Sequence, residues 1–233
     1  MDTQLSIFDI KENKANSLKV VNVASVPQRS PFRYPGGKTW LIPIVRKWLK
    51  QTNDLKKLIE PFAGGGIVSL TAAFENLANQ ITMIELDKEV AAVWEVVING
   101  NYEELANQIY SFNLTPENAN NILQKEKKTI AEQAFSTILK NRIYHGGIIT
   151  KGSGLIKNGE NGKGIRSRWY PKTLRDRILS IGHVKHRMIF LTGDAFEEME
   201  KAKNDKECYF FIDPPYTIAG KRLYTHFEID HNE

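Results

Sequence analysis

The stretch "IEPFAGGGIVSL", Ile59 to Leu70, passes from an apolar strand through three consecutive glycines into a helical run. Gly64, Gly65 and Gly66 let the backbone turn tightly and approach a ligand with no Cβ in the way. The helix that follows directs its free N–H groups at the turn. No Gly-Lys-Ser/Thr follows, and no strict G-x-G-x-x-G is formed, so the turn is neither a Walker A loop nor the dinucleotide fingerprint. Strand, glycine turn and helix in this order predict an α/β fold.

The flanking sequence continues the alternation. "KKLIEPF" (56–62), "QITMIELD" (80–87), "RMIFLTGDAF" (187–196) and "ECYFFIDPPY" (207–216) read as four strands of a parallel sheet. Helical spacing runs through "TWLIPIVRKWLK" (39–50), "IVSLTAAFENLA" (67–78), "KEVAAVWEVVING" (88–100), "NYEELANQIYSF" (101–112) and "TIAEQAFSTILKNR" (129–142). A further helix is opened by Thr115 as N-cap with Pro116 at its first position. Residues 1–30 show no sustained period and read as a poorly structured leader.

Charge is unevenly placed. The chain of 233 residues has a net charge of +5, but the window from Lys140 to Arg187 holds 12 lysines and arginines against Glu160 and Asp176. The same window carries half of the glycines. A basic, glycine-rich stretch in an otherwise acidic chain is the footprint of a polyanion contact, or of a solvated flexible insertion. Cys208 is the only cysteine, which excludes a disulfide framework and a thiolate metal cluster. No apolar run approaches a membrane span, and a soluble, cytoplasmic protein is expected.

The ends of the strands carry the chemistry. Glu85 and Asp87 follow the glycines by about twenty residues, where nucleoside sites set a carboxylate against ribose hydroxyls. A surface acid at a strand end would look the same for either residue alone. In "DPPY", the prolines cannot donate backbone hydrogen bonds and fix their φ angles, so the Asp213 carboxylate and the Pro214 carbonyl become two neighbouring acceptors. That pair suits an –NH₂ group, and Tyr216 offers a ring face to a planar heterocycle. Accepting both hydrogens frees the lone pair of a nucleobase amine for attack on a methyl group, and a duplex base would flip out to reach the pocket. A structural Pro-Pro turn is the plainer alternative.

"RYPGGK", "EPFAGGG", "IELD", "NRIYHGG", "GDAF" and "DPPY", in this order, resemble the Dam-type family of DNA adenine-N6 methyltransferases, over about Phe32 to Tyr216. The resemblance implies a Rossmann-like methyltransferase sheet, S-adenosylmethionine as donor, no metal, and duplex DNA as partner. Carried onto this chain, Tyr34, Gly36, Gly37 and Lys38 would line the methionine end of the donor. Glu60, Phe62, Ala63 and Gly64 would wrap its other side, Glu85 would hold the ribose, and Asp194 would meet the adenine amine. Asp213, Pro214, Pro215 and Tyr216 would be catalytic. Arg33, Asn141, Arg142 and Tyr144 would contact DNA, with Gly146 beside them at the head of the basic stretch. Beyond "NRIYHGG" the stretch departs from the family pattern, and there Arg166, Arg168 and Lys172 are candidates for phosphate or base contacts. Trp169 fits a DNA contact or an anchor on the core.

In this reading residues 31–100 and 188–233 form the catalytic domain, and 101–187 a helical and basic recognition insert. The family's fold continues beyond DPPY, so a chain stopping at Glu233 is expected to leave the fourth strand at an open edge and its own activity in question. A DNA-binding remnant, a cytosine-N4 methyltransferase and an enzyme acting on RNA or protein are the alternatives. The recognition sequence, the oligomeric state and a restriction endonuclease partner are left open by the residues.

Overall fold

The computed structural model describes residues 26–33, 37–51, 56–147, 149 and 154–214. Strands β1 (Lys57–Glu60), β2 (Gln80–Glu85), β3 (Met188–Thr192) and β4 (Cys208–Phe210) form one parallel sheet in the order β3-β2-β1-β4. Parallel neighbours need crossover segments, and helices supply them. Helix α1 (Ile42–Gln51) precedes β1, and the crossovers carry α2 (Ile67–Phe74), α3 (Lys88–Trp94), α4 (Tyr102–Ser111), α5 (Pro116–Gln124), α6 (Ile130–Ile143), α7 (Pro171–Val184) and α8 (Ala195–Ala202). The expected parallel α/β, Rossmann-like architecture is present.

Side chains alternate across a strand, so Leu58, Ile81 and Met83 enter one face of the sheet while Ile59 and Ile84 enter the other. The first face carries the large core, where Trp94, Phe135, Ile138, Ile178 and Ile181 are fully or almost fully buried. Among the described residues the second face carries a smaller cluster. There Ile59, Ile84 and Cys208 pack with Leu191, Ala202 and Phe210.

Local chemistry sets the helix starts. Thr115 accepts from the Asn118 amide with Pro116 in the first turn, as the sequence predicts. Thr129 and Glu132 form a reciprocal capping box at α6. Asp87 caps α3 by accepting from the Glu89 and Val90 amides, a structural task for one of the two acids considered for ribose. Two helices end before their patterns do. Helix α2 stops at Phe74, and Asn76 adopts a left-handed φ of 53°. Helix α3 passes into a turn of π-helix at Glu95–Asn99.

Helix α7 lies inside the basic window and was not anticipated by reading its charge. Its Leu174, Ile178 and Ile181 sit at helical spacing and join the same core cluster as the strands and α3. Trp169 is 8% exposed and meets Phe112 edge-on at 6.0 Å, so it anchors the basic stretch on the core. Among the described residues β4 pairs with β1 alone, at the edge of the sheet. Residues 1–25 of the expected leader lie outside the described residues, as do 215–233.

Candidate active site

The carboxyl ends of all four strands converge on one region. β1 delivers Glu60 and the glycine turn, β2 delivers Glu85, β3 leads to Asp194, and β4 to Asp213. The turn is stitched to the second strand: the Ala63 amide donates to the Ile84 carbonyl at 2.9 Å, and the Gly64 amide to Glu85 Oε2 at 2.9 Å. Trp94 Nε1 donates to the Gly64 carbonyl at 2.8 Å. Gly66 has φ +63°, and a Cβ there would stand 2.7 Å from Met83 Cε and 2.8 Å from Trp94 Cζ2. Only glycine meets both demands.

The acids differ in setting. Glu85 is half-buried and accepts from Gly64 and from the Asp87 amide, the latter at 2.9 Å. Desolvation pushes its carboxyl up to about 7 against those two hydrogen bonds. Glu60 is 4% exposed and lies under the turn, where Oε2 accepts from the Ser69 amide in the first turns of α2 at 3.0 Å. Burial, helped by the negative charges of Asp213 and Glu85, pushes it up to about 7 as well. Asp194 caps α8, its Oδ1 accepting from the Phe196 amide at 2.7 Å. Phe196 is exposed and stands edge-on to Phe62 at 6.0 Å, making an aromatic corner beside this acid.

Asp213 does not stand alone. Lys38 Nζ reaches its Oδ2 at 2.8 Å, and the two side chains are only 13% and 30% exposed. The lysine of "PGGK" and the acid of "DPPY" are thus one ion pair, joining the segment before α1 to the end of β4. Gly37, beside Lys38, is exposed. Pro214 is exposed next to Asp213. Tyr34, Gly36, Pro215 and Tyr216, named from the sequence for the same site, lie outside the described residues.

Against this geometry, a model of the D12 class N6 adenine-specific DNA methyltransferase family matches residues 34–232. The chain belongs to that family. A DNA N-6-adenine-methyltransferase of Escherichia phage P1 is 26% identical over 212 residues, which is 88% of this chain and 26% of the relative's length.

For a member of the D12 class, the residues first assigned to DNA fall into two groups. Asn141 is 1% exposed, and its amide is divided between the Arg33 backbone, on both N–H and carbonyl at 2.8 Å, and the Gly147 carbonyl at 2.8 Å. Arg142 is buried too, with Nη2 donating to the Pro31 carbonyl. These two side chains tie the end of α6 to the segment before α1. Tyr144 is half-buried and bridges to Leu155. Gly146 turns with φ +69°. Arg33 and Arg166 are exposed and Arg168 is half-buried, while Arg166 Nε donates to the Leu114 carbonyl at 3.0 Å. Lys172 is exposed and pairs with Asp176.

Sequence reasoning overlooked three contributors to this D12-class site: the Lys38–Asp213 pairing, Trp94 and Phe196. Phe196 was visible in "GDAF". Trp94 looked like an ordinary core position of a helix, and its indole bond to the turn has no local signature. No group of three His, Cys, Asp or Glu side chains is placed to bind a metal among the described residues, and no helix there is long and apolar enough to cross a membrane.

Proposed function

We propose that this chain transfers a methyl group from S-adenosylmethionine to the N6 amine of adenine in duplex DNA. The observation that carries the reading is the position of Asp213, at the carboxyl end of β4 beside the glycine turn and paired with Lys38 at 2.8 Å. The residues around it fit the donor. Glu85 uses two of its roughly four acceptor sites on Gly64 and Asp87, which leaves capacity for a pair of vicinal hydroxyls. Phe62 and Phe196 offer apolar faces to a heterocycle, and the glycine turn lets the backbone approach. Bound there, the donor supplies an electrophilic sulfonium methyl.

The chain's own groups prepare the acceptor. Asp213 and the Pro214 carbonyl accept the two hydrogens of the amine, which withdraws its lone pair from the ring and aims it outward. The Lys38 ammonium holds Asp213 Oδ2, so the other oxygen faces the substrate. The proton released on methylation leaves through Asp213 toward solvent. Exposed cations of the basic window, Arg166 and Lys172 among them, supply a duplex-facing surface.

Incubating the protein with labelled donor and duplex DNA, then digesting to nucleosides, tests this directly. The expected product is N6-methyladenine, absent with Asp213→Ala. Label on cytosine N4, or equal labelling by Asp213→Ala, overturns the assignment. Salt-dependent DNA binding with no transfer by the parent protein would leave a DNA-binding remnant as the correct reading.

A further inference from the structure

Two guanidinium groups, Arg142 near the end of α6 and Arg177 midway along α7, bind successive carbonyls of the segment before α1. Arg142 is 4% exposed, and its Nε has no hydrogen-bond partner. Arg177 of α7 is half-buried, with Nη1 donating to the Ser30 carbonyl at 3.0 Å, one residue from the carbonyl that Arg142 uses. Arg33 is exposed two residues further on. Its backbone is pinned by Asn141, and by the close approach of Gly147, where a Cβ would fall 2.6 Å from the Arg33 carbonyl oxygen. Arg33 and Arg177 both act on Arg142 as repelling charges, and Tyr170, 51% exposed, lies within the same electrostatic reach.

No described carboxylate balances this cluster. Asp176, next to Arg177 in sequence, pairs with Lys172 and Arg175. Glu75, which meets the 26–33 segment at Arg29, is held by Arg29 and Arg46. A buried guanidinium without a counter-charge is costly, and burial with its cationic neighbours pushes Arg142 down to about 9. Tyr170 leaves the first N–H groups of α7 without a side-chain cap, which adds the positive end of a 14-residue helix to the same place.

We propose that Arg33 and Arg177, with the buried charge of Arg142 beneath them, form a seat for one phosphate group of a DNA backbone. Guanidinium forks match phosphate oxygens in pairs, and the fixed charge below favours an anion at the mouth without having to touch it. The inference rests on duplex DNA being the substrate. It adds Arg177 to the residues that meet it and gives Arg142 an indirect task.

The test is duplex affinity measured across a range of salt for the parent, Arg33→Gln, Arg177→Gln and Lys203→Gln, the last an exposed lysine of the loop after α8. One lost phosphate contact lowers the slope of log K against log salt by about 0.9. That drop is expected in Arg33→Gln and Arg177→Gln and not in Lys203→Gln, with donor binding unchanged in all of them. Should Arg177→Gln fail to fold, Arg33→Gln carries the comparison alone. Unchanged slopes in folded variants overturn the seat. A second arm adds inorganic phosphate at constant ionic strength. Thermal protection of the parent but not of Arg33→Gln, with unchanged slopes, would overturn the assignment to DNA in favour of a free anion. A parent that binds no duplex at all defeats the underlying functional reading, which the nucleoside analysis detects separately.

Discussion

Asp213 and Lys38 are 175 residues apart in the chain and 2.8 Å apart in space. Removing the cation leaves a partly buried carboxylate unpaired and free to rotate. Charge-assisted bonds of this kind are worth about 1.5–3 kcal/mol, so Lys38→Gln is expected to slow single-turnover methyl transfer by roughly 10- to 100-fold. Duplex affinity should change little, and Lys38→Arg should recover part of the rate. The buried Glu60 supports a second prediction. Its carboxyl rises from 4.5 to about 7 in the fold, so the native state binds more protons than the unfolded chain between those values. Stability therefore falls as pH rises through that window and stays at its lower level above it. Glu60→Gln removes this dependence while its amide oxygen still accepts from Ser69. Thermal melts should show the variant more stable than the parent at pH 8, by up to about 3 kcal/mol, and the gain should vanish near pH 4.

Turns and caps decide how the elements begin. Gly66→Ala places a methyl group against Met83 and Trp94 at a positive φ, so both strain and overlap oppose it. Chemical denaturation should show a loss of about 2–4 kcal/mol, with donor binding reduced as the turn shifts. Thr129→Ala breaks the capping box of α6 and should cost about 1 kcal/mol with methyl transfer unchanged, because Thr129 lies at the end of α6 remote from Asn141. Most elements were legible from periodicity and caps, as at Thr115 and in the run from Lys57 to Glu60. Helix α7 was not, since Leu174, Ile178 and Ile181 are sparse apolar positions within a window dominated by twelve cations. The early end of α2 was hidden for a different reason. "ENLA" continues an acceptable helical pattern, but Asn76 turns the chain at φ 53° to reach β2.

At the scale of the molecule, α4, α6 and α7 of the expected recognition insert share one hydrophobic cluster with β1, β2 and α3. We expect this common core to unfold as a unit. Ile178→Ala, at a position with no exposure, should cost about 2–5 kcal/mol. In both parent and variant, far-UV circular dichroism and tryptophan fluorescence should report the same denaturation midpoint; separate midpoints would mean that the basic stretch folds on its own. The sequence by itself determined the parallel α/β class, the glycine turn, the family-typical order of motifs and the acids at the strand ends. These are local patterns, set by side-chain period, backbone freedom and capping within a few residues. Only the tertiary structure decided which groups meet: Lys38 with Asp213, Trp94 with the Gly64 carbonyl, and the buried Asn141 and Arg142 with residues 31–33. Such pairings depend on how distant segments close over a common core, and no short-range pattern in the chain encodes them.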